Sequence, residues 1–296
     1  MGIDAQGLRF LLAAKRNGVS FESPLMIGRQ NFSNDLFPKQ AAGIFGEFDQ
    51  FVGDHFLQSW GRAFYIEPML TSFGAAHTES IDFSPYEGAS IIQDMNLPIP
   101  DELKGRFSVV IDGGTLEHVF NYPQALKNAM DMVAVGGHFL VITGCNNWMG
   151  HGFYQFSPEL FFRAFSDENG FTLEHMFACE SRLRGRWYRV SDPKAIGQRV
   201  ELINNHPTYL LIEAKRLRKT EIFAAAPQQS DYTVTWAGET SPPSAPPRKS
   251  ARSFVKRIAP EFMKRPIRNI RNIMRKKITN RSAFQPRPRF PRWTPH

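Results

Sequence analysis

The stretch FSVVIDGGTLEH, from Phe107 to His118, carries the first decision about the fold. Phe107, Val109, Val110 and Ile111 are aromatic or β-branched, the residue types that suit a buried, pleated strand. Gly113-Gly114 supplies a turn directly after Asp112. A helix is predicted from Pro123, where Leu126, Ala129, Met130 and Val133 fall at i, i+3, i+4 and i+7 and Gly136-Gly137 would stop it. His138 to Thr143 is then a second strand. A strand, a helix and a strand in so short a span predict a parallel β-α-β unit.

The alternation continues in both directions. Upstream, Gly7 to Arg16 reads as a short helix with Leu8, Leu11 and Leu12 on one face, and Ser23 to Gly28 as a brief buried strand. Phe45 to Trp60 has helical spacing at Phe48, Phe51, Val52 and Leu57, and Glu79 to Phe83 and Ala89 to Asp94 read as strands. Downstream, Ser157-Pro158-Glu159 combines an N-cap hydroxyl, a proline at the first helical position and an acid in the first turn. The helix it opens carries Leu160, Phe161, Ala164 and Phe165 on its apolar face and would end at Gly170. Phe171 to Phe177 and Thr208 to Ala214 supply two further strands. Such alternation implies a mainly parallel sheet covered on both faces, whose ligands bind beyond the carboxyl ends of the strands. Asp82, Asp94 and Asp112 would lie along that edge, either as parts of a site or because aspartate favours turns.

Composition narrows the class. Of 296 residues, 42% are hydrophobic and 22% charged, as in ordinary globular proteins. Cys145 and Cys179 are the two cysteines, too few for a disulfide framework or a clustered zinc site, so no metal is expected and a cytoplasmic location is. No run reaches the roughly 18 apolar residues of a membrane-spanning helix. From Arg248 onward the chain holds 16 of its 36 Lys and Arg but one acid, Glu261, a net +15 that leaves the remainder at −7. An acidic body with a basic tail predicts a polyanionic partner for the tail alone.

FSVVIDGGTLEH resembles the fourth strand and following loop of class I S-adenosylmethionine-dependent methyltransferases, and MVAVGGHFLVIT, FSPELF and Gly170-Phe171 are similar to the segments that follow there. The resemblance covers about two-thirds of the chain. It implies a three-layer, Rossmann-like α/β fold, with a mainly parallel seven-stranded sheet whose last strand, Thr208 to Ala214, is inserted antiparallel. It also implies S-adenosyl-L-methionine as cofactor. On that resemblance Asp82 would accept hydrogen bonds from the ribose hydroxyls, and Asp94 from the adenine amine while Met95 packs on the ring. Gly28, Gly113 and Gly114 would let backbone approach the sulfonium end. The chain departs from the family after its first strand, where Gly28-Arg29-Gln30-Asn31 offers one glycine in place of several. Ser84 to Gly88 is also too short for the usual helix between the second and third strands.

His151 is the candidate general base, because it follows the fifth strand and an imidazole of pKa ~6.5 can take a proton from a hydroxyl or amine. A turn histidine without chemistry is the competing reading. Asn146, Asn147, Trp148, Tyr154 and Gln155 are the polar and aromatic mixture that lines substrate pockets. Glu117 and His118 either shape the loop or touch ligand. Arg182 to Arg189 is a loop that either holds an anionic substrate group or is simply solvated. No P-loop, HExxH, nucleophile elbow or GxGxxG is present.

The expected organisation is an N-terminal helix over 1–19, the methyltransferase-like domain over 20–223, a proline-rich disordered linker over 224–249 and a basic amphipathic tail over 250–296. In the tail, Ile267, Ile270, Ile273, Met274 and Ile278 recur at helical spacing among Lys and Arg, with Pro260 and Pro266 as breaks. That pattern suits an anionic membrane surface, contacted by about residues 250–280, better than nucleic acid. The expected function is methyl transfer to an oxygen or nitrogen of a small molecule or glycan. The alternative is a non-catalytic protein of the same fold, docked on the inner membrane surface by its tail.

Overall fold

The computed structural model describes residues 2–49 and 65–230, together with the backbone of Phe284–Pro286. Its strands are β1 (Pro24–Ile27), β2 (Glu79–Asp82), β3 (Ile91–Ile92), β4 (Phe107–Asp112), β5 (Val133–Asn146), β6 (Phe171–Glu180), β7 (Trp187–Val190), β8 (Thr208–Arg216) and β9 (Phe284–Pro286). The helices are α1 (Ala5–Arg16), α2 (Pro38–Gly46), α3 (Glu67–Ser72), α4 (Tyr122–Met132), α5 (Pro158–Ala164) and α6 (Pro193–Ile196). The strands form one sheet in the order β3-β2-β1-β4-β5-β8-β6-β7-β9. The first five in that order are mutually parallel, and β8 enters antiparallel between β5 and β6. The parallel β4-α4-β5 unit and the inserted antiparallel strand are those expected from the sequence.

Period-two alternation builds the three layers. Val109 and Ile111 of β4, Leu140 and Ile142 of β5 and Leu211 of β8 bury against α1, α2 and α3 on one face. Val110, Phe139, Val141, Leu210 and Ile212 bury against α4 and α5 on the other. The middle of each central strand is therefore an unbroken apolar run, Val109–Ile111, Phe139–Ile142 and Leu210–Ile212, as a sheet covered on both sides requires. Asp4 caps α1, accepting from the amides of Gln6 and Gly7 at 2.9 Å each. Ser157 caps α5 through the Glu159 amide, as the Ser-Pro-Glu signature predicts.

Several expectations are corrected. The sheet has nine strands, not seven, because part of the Arg182 to Arg189 segment is strand: Cys179 pairs with Trp187 across the tight turn at Gly185. Trp187 is the anchor, buried against Phe10 and Phe177 with its Nε1 donating to Gln6 Oε1 at 2.8 Å. β9, from the region read as the basic amphipathic tail, pairs antiparallel with β7. Gly136-Gly137 does not stop α4, which ends at Met132; the pair lies within β5. A side chain at Gly137 would run into the Ser108 carbonyl, so glycine is needed there for close strand approach. Gly170 does not end α5 but closes a later turn, Asp167–Asn169, in the left-handed region (φ +71°). The strand expected over Ala89 to Asp94 is reduced to Ile91–Ile92. Beyond the expected domain end at 223, residues 224–229 are exposed and Ser230 is buried, bonding to Glu159 through its amide (2.9 Å) and hydroxyl (3.1 Å).

The linker over 231–249, the amphipathic segment over 250–280 and most of the Phe45 to Trp60 helix lie outside the described residues. Among the described residues no helix is long and apolar enough to cross a membrane.

Sheet register sets the site. Ile27 lies level with Ile81 and Asp112, and Asp112 with Val141. The chain just beyond that row forms one continuous carboxyl edge. Behind it, Asn128 of α4 ties down the segment after β3, with Nδ2 donating to the carbonyls of Met95 (3.1 Å) and Leu97 (2.8 Å) and Oδ1 accepting from the Ile99 amide (3.3 Å). Removing a buried group with several partners leaves those partners unsatisfied. Asn128→Ala should therefore lower unfolding stability in urea by about 1–3 kcal/mol. A loss below about 0.5 kcal/mol, the range of surface substitutions, would show that Asn128 does not anchor this segment.

Candidate functional site

The site begins at a buried carboxylate. Asp112 is 1% exposed, and its Oδ1 accepts from the amides of Thr115 (2.8 Å), Gly114 (3.2 Å) and Leu116 (3.3 Å). Burial pushes its carboxyl above the ordinary range, while the three amides oppose that shift. The turn needs Gly114 in the left-handed region (φ +95°) and leads into the single helical turn Leu116–His118. Asp112 was read from the sequence as a third edge carboxylate. Its hydrogen bonds make it the cap of the turn.

Two side chains then fill the space over the end of β1. Thr115 Oγ1 donates to the Ile27 carbonyl at 2.8 Å and accepts from Gln30 Nε2 at 3.1 Å, and Gln30 Nε2 also donates to Ile27 at 2.7 Å. Gly28 sits at φ +68°, where a Cβ would lie 2.5 Å from Thr115 Oγ1. A Cβ at Gly113 would run into the Gln30 amide. Both glycines therefore permit a close approach, but by Thr115 and Gln30 of this chain. Gln30 Oε1 itself is buried and has no hydrogen-bond donor. Arg29 reaches sideways: Nε meets Glu67 Oε1 at 2.6 Å, Nη1 donates to the Glu87 carbonyl at 2.8 Å, and the guanidinium lies 3.8 Å from the Tyr65 ring centroid. These contacts stitch the β1 turn to α3 and to the loop after β2.

Asp82 and Asp94 stand half-buried at the ends of β2 and β3. Asp82 Oδ1 accepts from the Phe83 amide at 2.6 Å, and Asp94 Oδ1 from the amide (2.9 Å) and Nδ2 (2.7 Å) of Asn96. Each thus keeps a second oxygen outside those bonds. Phe83 is 71% and Leu97 58% exposed beside them, and Met95 is buried between. Two carboxylates flanked by uncovered apolar side chains suit a ligand with a flat apolar ring and several donors.

At the other end of the edge, the loops after β4 and β5 are sewn together. The amide of Phe153 donates to the Glu117 carbonyl at 2.8 Å, and Gly152, at φ +68°, lets the two backbones touch. Trp148 Nε1 fixes the second loop to the Thr208 carbonyl at 3.0 Å. As a result His151 Nε2 lies 3.8 Å from Glu117 Oε1, and the His118 and His151 rings meet edge-on at 4.9 Å between centroids. Glu117 is 1% exposed; its Oε2 accepts from Thr143 Oγ1 at 3.3 Å, while its Oε1 has no partner. Burial, and then the nearby charge of Asp112, raise the Glu117 carboxyl. Burial lowers both His118 and His151, which favours neutral imidazoles near pH 7. A cleft of about 260 Å³ is lined by Cys145, Asn146, Gln155, Phe156 and Leu202 among others, with no charged side chain in its wall; none of Glu117, His118 and His151 lines it.

Of the residues singled out in the sequence, Gly28, Asp82, Asp94, Met95, Gly113 and Gly114 share one edge with His151. Asn147 is engaged elsewhere, its Nδ2 donating to the carbonyls of Asn204 and His206. Arg184 and Arg186 are exposed, and the loop that carries them is fixed to α1 by Gln6 and Arg9, which donate to the carbonyls of Arg182 and Leu183. The sequence reading missed Thr115 and Asn128. It also missed that Glu117, His118 and His151 come together as a set of metal-ligating groups where no metal was expected. The only sequence signal was that each follows a strand that ends on the same edge.

No protein-family profile matches the chain, and no curated protein matches it. Solved structures do. One is the 1,6-didemethyltoxoflavin-N1-methyltransferase of Burkholderia thailandensis, solved with 1,6-didemethyltoxoflavin and S-adenosylhomocysteine bound; it is 15% identical, with 72% of this chain and 79% of that one covered and a TM-score of 0.40. The branched-chain polyamine synthase of Thermus thermophilus, in complex with N4-aminopropylspermidine and 5'-methylthioadenosine, is 12% identical over 76% of this chain and 61% of that one, TM-score 0.37. The antibiotic-resistance methyltransferase Kmr is 14% identical over 72% and 94%, TM-score 0.32. The strand order and register, not these likenesses, define the fold described above.

The raised Glu117 carboxyl has a measurable consequence. A carboxyl held above its unfolded value keeps a proton that the unfolded chain releases, so its contribution favours folding at low pH and is lost as pH rises through neutrality. In chelator-containing buffer, Glu117→Gln should melt higher than the parent near pH ~8, with the gap closing toward pH ~5. A variant that melts lower than the parent at the alkaline end would contradict the uncompensated burial of Glu117.

Proposed function

We propose that this chain is a methyltransferase that uses S-adenosyl-L-methionine and acts on an oxygen or nitrogen of a small molecule or glycan. The observation that carries the reading is the continuity of the edge. Nucleoside-type groups at Asp82, Asp94 and Met95 and close-packed turns at Gly28 and Gly113 share that edge with a carboxylate–imidazole cluster in which Glu117 Oε1 and His151 Nε2 lack hydrogen-bond partners.

The residues present fit the cofactor. Asp82, with one oxygen outside its hydrogen bonds, would accept from the ribose diol, and Asp94 from the adenine amine beside Met95. At the amino-acid end Gln30 Oε1, a buried acceptor without a donor, suits an ammonium group and stands in for contacts that a glycine-rich turn would make through backbone. Gly113 and Gly114 carry the adjacent backbone. When bound, the cofactor supplies an electrophilic methyl group on a sulfonium. The chain's own task is then to align an acceptor lone pair and remove the acceptor's proton. His151 and Glu117 serve that second task, and the cleft after β5, with amide and hydroxyl groups and apolar walls but no charge, suits an uncharged acceptor.

Titrating S-adenosylhomocysteine into the full chain by calorimetry separates this reading from a non-catalytic scaffold. The expected result is saturable binding that Asp82→Ala weakens at least about tenfold, the scale of a hydrogen bond to a charged group. His151→Ala should leave that affinity unchanged and lower turnover by about a hundredfold or more once an acceptor is found. Absence of binding at ligand concentrations near a millimolar favours the scaffold.

A further inference from the structure

We infer that Glu117, His118 and His151 hold a divalent transition-metal ion that keeps an open coordination position. One ligand atom from each of the three lies within 4.8 Å of the others. Glu117, on a side chain 1% exposed, and His151 each offer a buried atom without any hydrogen-bond partner, Oε1 and Nε2. Their separation of 3.8 Å is too long for a hydrogen bond. It is close to the ~3.4 Å between two ligands that share a tetrahedral ion at ~2.1 Å. The exposed His118 completes the set from the solvent side.

Energetics favour the same conclusion. A buried carboxylate oxygen without a donor is destabilising, and among the described residues no Lys or Arg pairs with Glu117. A cation on the two imidazoles and the carboxylate supplies the missing charge and uses both orphaned atoms. The surroundings are those of a prepared site. Thr143 holds the second carboxylate oxygen, and the Phe153-to-Glu117 backbone bond fixes the loop that presents His151. Two imidazoles and one carboxylate suit zinc and its first-row neighbours, whereas magnesium prefers an all-oxygen shell.

The ion deepens the proposed function, on which only the role of its open position rests. An acceptor oxygen or nitrogen bound there would lose its proton more readily, and His151 would act as a ligand instead of a free base. Ion binding itself does not depend on the cofactor.

The test uses the full chain freed of metal by chelation and dialysis. Zn²⁺ titration should show one ion per chain, Mn²⁺ weaker binding and Mg²⁺ none. Glu117→Gln and His151→Ala should each weaken Zn²⁺ at least about tenfold while both variants still bind S-adenosylhomocysteine as the parent does, which also reports that they are folded. The inference is overturned if no stoichiometric Zn²⁺ binds, or if the Glu117→Gln/His151→Ala double variant binds it as tightly as the parent through other histidines. Zinc binding without S-adenosylhomocysteine binding would leave the metal site standing and remove the methyltransferase reading; the reverse would do the opposite.

Discussion

The carboxylate of Asp112, buried at the end of β4 with three backbone amides on one oxygen, shapes everything around it. Without those amides the buried acid would be costly, and without the acid the amides of the turn would be unsatisfied. The turn they define sends Thr115 back to the end of β1 and carries Glu117 forward toward β5. One capped turn thus joins both halves of the edge, the turn at the end of β1 and the cluster between β4 and β5.

This arrangement gives a physical account of the missing glycine-rich turn. A run of glycines would present bare backbone amides and leave space for a ligand. Here Arg29 and Gln30 replace that flexible cradle with side chains locked to Glu67, Glu87, Ile27 and Thr115. Such a turn is stiffer, because its conformation is set by ion pairs and buried hydrogen bonds as well as by backbone torsions. What it retains is one orphaned acceptor, Gln30 Oε1, facing Gly113.

The sheet was legible from the sequence because burial on both faces writes itself as unbroken apolar strands, as at Val109 to Ile111. The antiparallel placement of Thr208 to Ala214 came from the resemblance and not from periodicity. Local signals failed where tertiary contact decides. Trp187 makes a strand of a segment rich in arginine because it docks on Phe10 and Phe177. Gly136-Gly137 looks like a helix stop but lies within β5, where Gly137 permits close strand approach. The site was half legible. Asp82 and Asp94 could be placed on the edge from their position at strand ends, but no local pattern separates them from Asp112, which turned out to cap a turn. The pairing of Glu117 with His151 spans two loops joined by backbone hydrogen bonds from Phe153 and Tyr154 to Glu117, and sequence spacing carries no trace of those bonds.

The central claim is that one edge holds the cofactor at β1 to β3 with its reactive end toward the Glu117–His151 cluster. A crystal structure of the chain grown with S-adenosylhomocysteine tests it most directly. The account predicts ribose oxygens on Asp82, the adenine beside Asp94 and Met95, the amino group near Gln30 Oε1 and the sulfur turned toward His151. A ligand bound elsewhere on the chain, or one whose sulfur points away from that cluster, would contradict it.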